Sequence, residues 1–99
     1  MYQNIAHILF SFEHENRYDQ KKILEKLIKD YKHKSLYIRI GFGFTGTIPW
    51  RIDIYCKNED VEDVYSNVVS SIQELNIANS IYKKSIVIKH NDKCEVRGI

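Results

Sequence analysis

Tyr37, Arg39, Arg51 and Tyr55 combine aromatic rings with guanidinium groups, the pairing of side chains in this chain best suited to recognition chemistry. Rings stack on bases and arginines take phosphates, so such a group on an exposed sheet is a means of holding single-stranded nucleic acid. Ile5, His7 and Leu9 belong to the same outward face if the first strand lies in the same sheet. Ile5 and Leu9 favour protein contact, because exposed apolar patches mark interaction sites. A symmetric homodimer is the commonest way to bury a face of this kind, at a cost of about 800 Å² per subunit for a specific interface. The RNP1 pattern of RNA-recognition domains is absent, and GFGF stands in the wrong strand for it.

Other candidate chemistry is poorer. GFGFTG at 41–46 has the glycines of a phosphate loop, but they enter a hairpin instead of opening a helix, where donors and dipole would converge. His7, His14, His33 and His90 with Cys56 and Cys94 form no CxxC, HxH or HExxH pattern; His90 and Cys94 flank a turn and are expected to approach, yet two ligands are not a site. Glu59, Asp60, Glu62 and Asp63 are accounted for by the positive end of a helix dipole. Glu13, His14 and Glu15 end the first strand, where a metal-dependent nuclease would keep its acids, although a solvated loop is polar by default. No catalytic residue, metal or cofactor is assigned.

These side chains depend on the register of one hairpin. Within 36–56, Leu36, Ile38, Ile40, Phe42 and Phe44 alternate with Tyr37, Arg39, Gly41 and Gly43. After a tip at Thr45-Gly46-Thr47, Ile48, Trp50, Ile52, Ile54 and Cys56 alternate with Arg51, Asp53 and Tyr55. Period two marks a strand with one buried face, and opposed residues share that face. The register then opposes Phe42 to Trp50, Ile40 to Ile52 and Ile38 to Ile54, while the other face sets Arg39 against Asp53 and Tyr37 against Tyr55. Pro49 marks a strand start or an edge.

Upstream, 4–13 gives a first strand with Ala6, Ile8, Phe10 and Phe12 inward. A helix from Asp19 to about Lys32 carries the stripe Ile23, Leu24, Leu27, Ile28 and Tyr31, opposite a lysine face. Downstream, Asn58 is expected to cap a helix running to about Asn76, with the stripe Val61, Val64, Tyr65, Val68, Val69, Ile72 and Leu75 and no Lys or Arg. A strand is expected over about 81–90, a turn at Asn91-Asp92, and a possible short fifth strand from Lys93 to Arg97. Strand, helix, strand, strand, helix, strand is the order of a ferredoxin-like α+β sandwich, an antiparallel sheet with both helices on one face, in one domain over residues 1–99.

The chain has 99 residues, with 15 Lys and Arg against 13 Asp and Glu for a formal charge of +2, too mild to imply nucleic acid by itself. No apolar run is long enough to cross a bilayer, and the N-terminus lacks the features of a signal peptide, so an intracellular soluble protein is expected. Cys56 falls on the inward series as a small apolar filler. A bond to Cys94 stays open, since hyperthermophilic archaea are the exception to reduced intracellular thiols.

The opening MYQNIAHILF with its strand and helix is similar to the small CRISPR-associated dimeric nuclease of ferredoxin fold, but that family ends its first strand in an aspartate and this chain has Ser11 to Glu13 there. FEHENR likewise lacks the glycine of the acylphosphatase loop. LYIRI, IYKKSIVIK and RIDIYC, rich in Ile, Lys and Tyr, give the whole chain a character that resembles the accessory proteins of filamentous viruses infecting hyperthermophilic, acidophilic archaea, of the Acidianus filamentous virus type. The resemblance implies a viral protein in the host cell cytoplasm and carries no catalytic residue across. The reading is a non-enzymatic homodimeric binding module acting on a host or viral macromolecule, with single-stranded nucleic acid as the alternative partner and no membrane.

Overall fold

The structure is a computed structural model that describes residues 4–12, 35–42 and 50–99, together with Lys22, Glu25, Lys26 and Lys29. Strands β1 (Ile5–Phe12), β2 (Ser35–Phe42), β3 (Trp50–Lys57), β4 (Ser85–His90) and β5 (Lys93–Gly98) form one antiparallel sheet in the order β2-β3-β1-β4-β5. Helix α1 (Val61–Glu74) follows β3 through a 3-10 turn at Asn58–Asp60. Lys22, Glu25, Lys26 and Lys29 are helical and lie between β1 and β2 in sequence. This is the ferredoxin-like α+β arrangement, extended at one edge by β5.

Alternation decides which side of the sheet is packed. Ala6, Ile8, Phe10 and Phe12 of β1, Ile52, Ile54 and Cys56 of β3, and Ile86 and Ile88 of β4 are all buried on one face. The α1 stripe, Val61, Val64, Val68 and Ile72, closes over them. Each buried Val, Ile and Phe of the layer contributes roughly 1.5–3 kcal/mol on leaving water, which makes this layer the main source of stability. Lys26 is bridged to Glu74 at 2.9 Å, so helical Lys26 stands beside the end of α1, an attraction between the basic and acidic helices.

The hairpin has the expected register: Tyr37 faces Tyr55, Ile38 faces Ile54, Arg39 faces Asp53, Ile40 faces Ile52 and Phe42 faces Trp50. The expected tip at Thr45-Gly46-Thr47 and Pro49 lie outside the described residues, as do Glu13, His14, Glu15 and His33.

Local differences from the sequence pattern have identifiable causes. Asn58 does not cap α1; its side chain donates to Asn91 Oδ1 at 2.9 Å, and the 3-10 turn takes the first residues of the expected helix. The helix ends at Glu74, two residues short of Asn76, because Asn76 adopts φ 56° and the N–H groups of Asn76 and Ile77 bond back to Gln73 and Ile72. That pattern is a Schellman motif, and Asn tolerates its left-handed position. The fourth strand begins at Ser85 and not at 81: Lys83 and Lys84 have φ of 54° and 47°, outside the β region, and Ile81 makes only an isolated bridge to Phe12. Asn91 and Asp92, at φ 50° and 60°, make the tight turn into β5, where both central residues must be left-handed.

Both cysteines are free. Cys56 sits in the core and Cys94 is exposed, paired with Lys89 on the opposite side of the sheet, which excludes a bond between them. His90 and Cys94 also point to opposite faces, so their expected approach does not occur. Burial pushes the Cys56 thiol up to about 11, with Asp60 adding to the effect. Since the thiolate is the reactive species, native protein at neutral pH is expected to take up one equivalent of a thiol reagent, at Cys94, and a second only in denaturant. Mass spectrometry of the labelled chain checks this, and modification of native Cys56 would contradict it.

β5 is held by Arg97, which donates to Glu62 Oε1 at 2.7 Å and Oε2 at 2.9 Å, to Glu95 at 2.9 Å, and lies 4.6 Å over the Tyr65 ring. Hydrogen bonds from Arg97 hold both carboxyls below the usual range. A forked pair and a ring contact need guanidinium geometry. Arg97→Ala is expected to lower unfolding stability by roughly 1 kcal/mol, and Arg97→Lys to recover little of it, in urea titrations followed by circular dichroism.

Candidate functional site

The face of the sheet away from α1 gathers the outward residues of β1, β2 and β3 around Asp53. Arg51 lies two residues before Asp53 on the same side of β3, Arg39 is its direct partner on β2, and His7 of β1 is its diagonal neighbour, opposite Tyr55. Cross-strand and diagonal positions are within reach of long side chains. Arg51 donates through Nε to Oδ2 at 3.0 Å and through Nη2 to Oδ1 at 2.7 Å. His7 Nε2 meets Oδ1 at 2.6 Å, and Arg39 Nε reaches Oδ2 at 3.4 Å.

Asp53 is therefore 0% exposed although it stands on the solvent side of the sheet. Burying a lone carboxylate is costly, and its partners make it tolerable. Burial alone would raise the Asp53 pKa, but the hydrogen bonds from Arg51 and His7 outweigh burial and hold it below its ordinary value. A carboxylate only accepts, so Nε2 of His7 carries the hydrogen of the shared bond. The hydrogen bond to Asp53 raises the pKa of Arg51 in turn.

The rings stand beside this network. His7 and Tyr55 stack at 4.4 Å between centroids with planes 7° apart, and Tyr37 tilts against Tyr55 at 6.1 Å. His7 and Tyr55 thus spend one ring face on each other. Tyr37 is 57% exposed and keeps a ring face for a ligand. Leu9, beside Asp53, pairs with Val87, which pairs with Val96, so an apolar row crosses β1, β4 and β5 to end at exposed Val96. Ile5 lies further along β1, opposite Lys57, half-buried and apart from the Asp53 group.

Of the outward residues expected from sequence, His7, Tyr37, Arg39, Arg51 and Tyr55 come together, while Ile5 and Leu9 flank them. Asp53 is the residue the sequence reading left out of the site. Its signal was present in its register with Arg39 and its i, i+2 spacing from Arg51, but the third partner, His7, follows only from the placement of β1 next to β3. Lys89, the Cα partner of His7 on β4, and Val87 and Val96 were also missed.

Chemically, the group is built to hold and orient. His7 on a carboxylate has half the form of a catalytic dyad, yet its cross-strand neighbours are Tyr55 and Lys89, and Cys94 lies beyond Lys89. Among the described residues, no group of three or more His, Cys, Asp or Glu side chains is placed to hold a metal ion, and no helix is long and apolar enough to cross a membrane.

A lowered carboxyl pKa stabilises the fold above the unfolded value, about 3.9 for Asp, and this contribution is lost as pH falls through the lower folded value. Asp53→Asn is expected to cost about 1.5–3 kcal/mol at pH 7 and to flatten the fall of stability below pH 4, measured by urea titration across pH. An unchanged acid limb would show that Asp53 is not the group responsible.

No family model and no curated protein matches the chain. Several solved structures share its fold, two of them regulatory or kinase subunits. The regulatory subunit of aspartate kinase from Thermus flavus superposes with TM-score 0.62 at 8% identity, over 89% of this chain and 52% of that one. The aspartokinase alpha and beta subunits superpose with TM-score 0.51 at 11% identity, over 87% and 54%. This chain spans about half the length of either, and at such identity the likeness is one of fold.

Proposed function

We propose that the chain is a non-enzymatic binding module that lays its open sheet face on a single-stranded nucleic acid. The observation that carries this reading is the distribution of charge. On this face Arg39, Arg51, Lys57 and Lys89 stand against the lone carboxylate of Asp53 among the described residues. On the helix side, Lys22, Lys26 and Lys29 are outnumbered by Glu25 and the acids Glu59, Asp60, Glu62, Asp63 and Glu74 of α1 and its leading turn. Among the described residues the excess positive charge therefore belongs to the sheet face, which a polyanion complements.

The rings fit the same partner. A base stacking on the free side of Tyr37 would extend the series Tyr37, Tyr55, His7, and Arg39, with a side chain 52% exposed and one long bond to Asp53, has donors left for phosphate. Asp53 stiffens the arginines before any ligand arrives, which lowers the ordering cost of binding.

A second reading, the homodimer, is favoured by the apolar row from Leu9 to Val96, which nucleic acid would leave unused. Two copies meeting face to face would bring their excess cations together, so this mode is expected to strengthen with added salt.

Fluorescence anisotropy with a labelled single-stranded oligonucleotide tests the proposal. Binding is expected at low salt, with a log–log salt slope of roughly −0.7 per phosphate contacted, and roughly tenfold weaker for Tyr37→Ala. An exposed tyrosine can be truncated without loss of the fold, so an unbound parent at low salt overturns the reading. Light scattering that shows a dimer strengthening with salt, and dispersed by Val96→Glu, would support the second reading.

A further inference from the structure

The row of rings does not stop at the edge of the open face. His7, the last of them, also lines a groove of about 660 Å³ that passes round the end of the sheet beside the β4–β5 turn. His7 and Lys89 border it on the face side, His90 and Lys93 on the other, with Asn4 and Asn91 between. Lys89 is the Cα partner of His7, and Lys93 that of His90. Among the described residues neither lysine has an ion-pair partner, and Asp92 in the turn is the one carboxylate lining the groove.

The walls are fixed in advance. The Asn58 N–H donates to the Asn4 carbonyl at 2.8 Å, and the Asn58 side chain donates to Asn91 Oδ1 at 2.9 Å. Both amide-bearing lining residues are thus tied to one residue, and the bond to Asn91 takes one lone pair of its Oδ1 and leaves its NH2 group to donate. The groove presents the ammonium groups of Lys89 and Lys93 and the amide N–H groups of Asn4 and Asn91 to whatever enters, while the Nε2 atoms of His7 and His90 are already engaged by Asp53 and Glu95; the lysines and amides suit an anion.

Resting on the nucleic-acid reading of the face, we infer that this groove receives the terminal phosphate of the bound strand. A strand stacked along Tyr37, Tyr55 and His7 leaves the sheet here. A phosphate inside a strand carries one negative charge and is esterified on two oxygens. A terminal phosphomonoester approaches two charges at neutral pH and presents three unesterified oxygens, which suits a lysine on either side of the groove with amide donors between.

The same single-stranded oligonucleotide is to be compared by fluorescence anisotropy in three forms: 5′-phosphorylated, 3′-phosphorylated, and with hydroxyls at both ends. One phosphorylated form is expected to bind at least about fivefold tighter than the hydroxyl form. The double variant Lys89→Ala, Lys93→Ala is expected to lose that preference while still binding the hydroxyl form; both lysines are exposed, so the fold survives their truncation. Equal binding of all three forms by the parent, or a preference that persists in the double variant, overturns the groove assignment and leaves the face reading intact. Failure of every form to bind the parent overturns both.

Discussion

The open face depends on one buried carboxylate. Asp53 ties β1, β2 and β3 together on the side where no described helix packs, through Arg51 on its own strand, Arg39 on one neighbour and His7 on the other. The other side is held by apolar packing, which is non-directional and fixes no rotamer of an outward residue. Hydrogen bonds to a fixed anion do fix them. The arginines and the imidazole are therefore positioned by an electrostatic centre whose strength comes from its exclusion from water.

That centre divides the face into unlike halves. Toward β2 the surface is aromatic and cationic; toward β5 it is apolar, along Leu9, Val87 and Val96. A polyanion answers the first half and a protein surface the second. Charge weighs toward the first because Asp53 offsets only part of the cationic character around it, and a like-charged copy would have to overcome what remains. The groove at the end of the sheet meets the aromatic half at His7 and takes its own cations, Lys89 and Lys93, from β4 and β5.

The hairpin register was legible in the sequence because two alternating series, apolar within and charged or aromatic without, demanded the same pairing. The pairing of Arg39 with Asp53 was legible for the same reason. The depth of Asp53 was not, since it follows from strand order, which brings His7 alongside from a segment far off in the chain. The start of β4 was hidden for a backbone reason: IYKKSIVIK alternates as a strand would, yet Lys83 and Lys84 occupy left-handed conformations that lysine does not announce. Asn58 was misleading because its side chain has the chemistry of a cap, and only the nearness of the β4–β5 turn directs it to Asn91. The groove was invisible for a related reason, as its walls come from the start of β1 and from the β4–β5 turn, which lie far apart in the chain.

The edge strand β5 carries Glu95 and Arg97 on its inner side, opposite Ile88 and Ile86, with their charges satisfied by α1 and by each other. A strand with ionic groups on that side cannot be laid alongside a second molecule's sheet without carrying those ions into a foreign apolar layer. Growth of the sheet from chain to chain, the first step toward fibrils, is thereby blocked at this border, and the layer closes at its fifth strand.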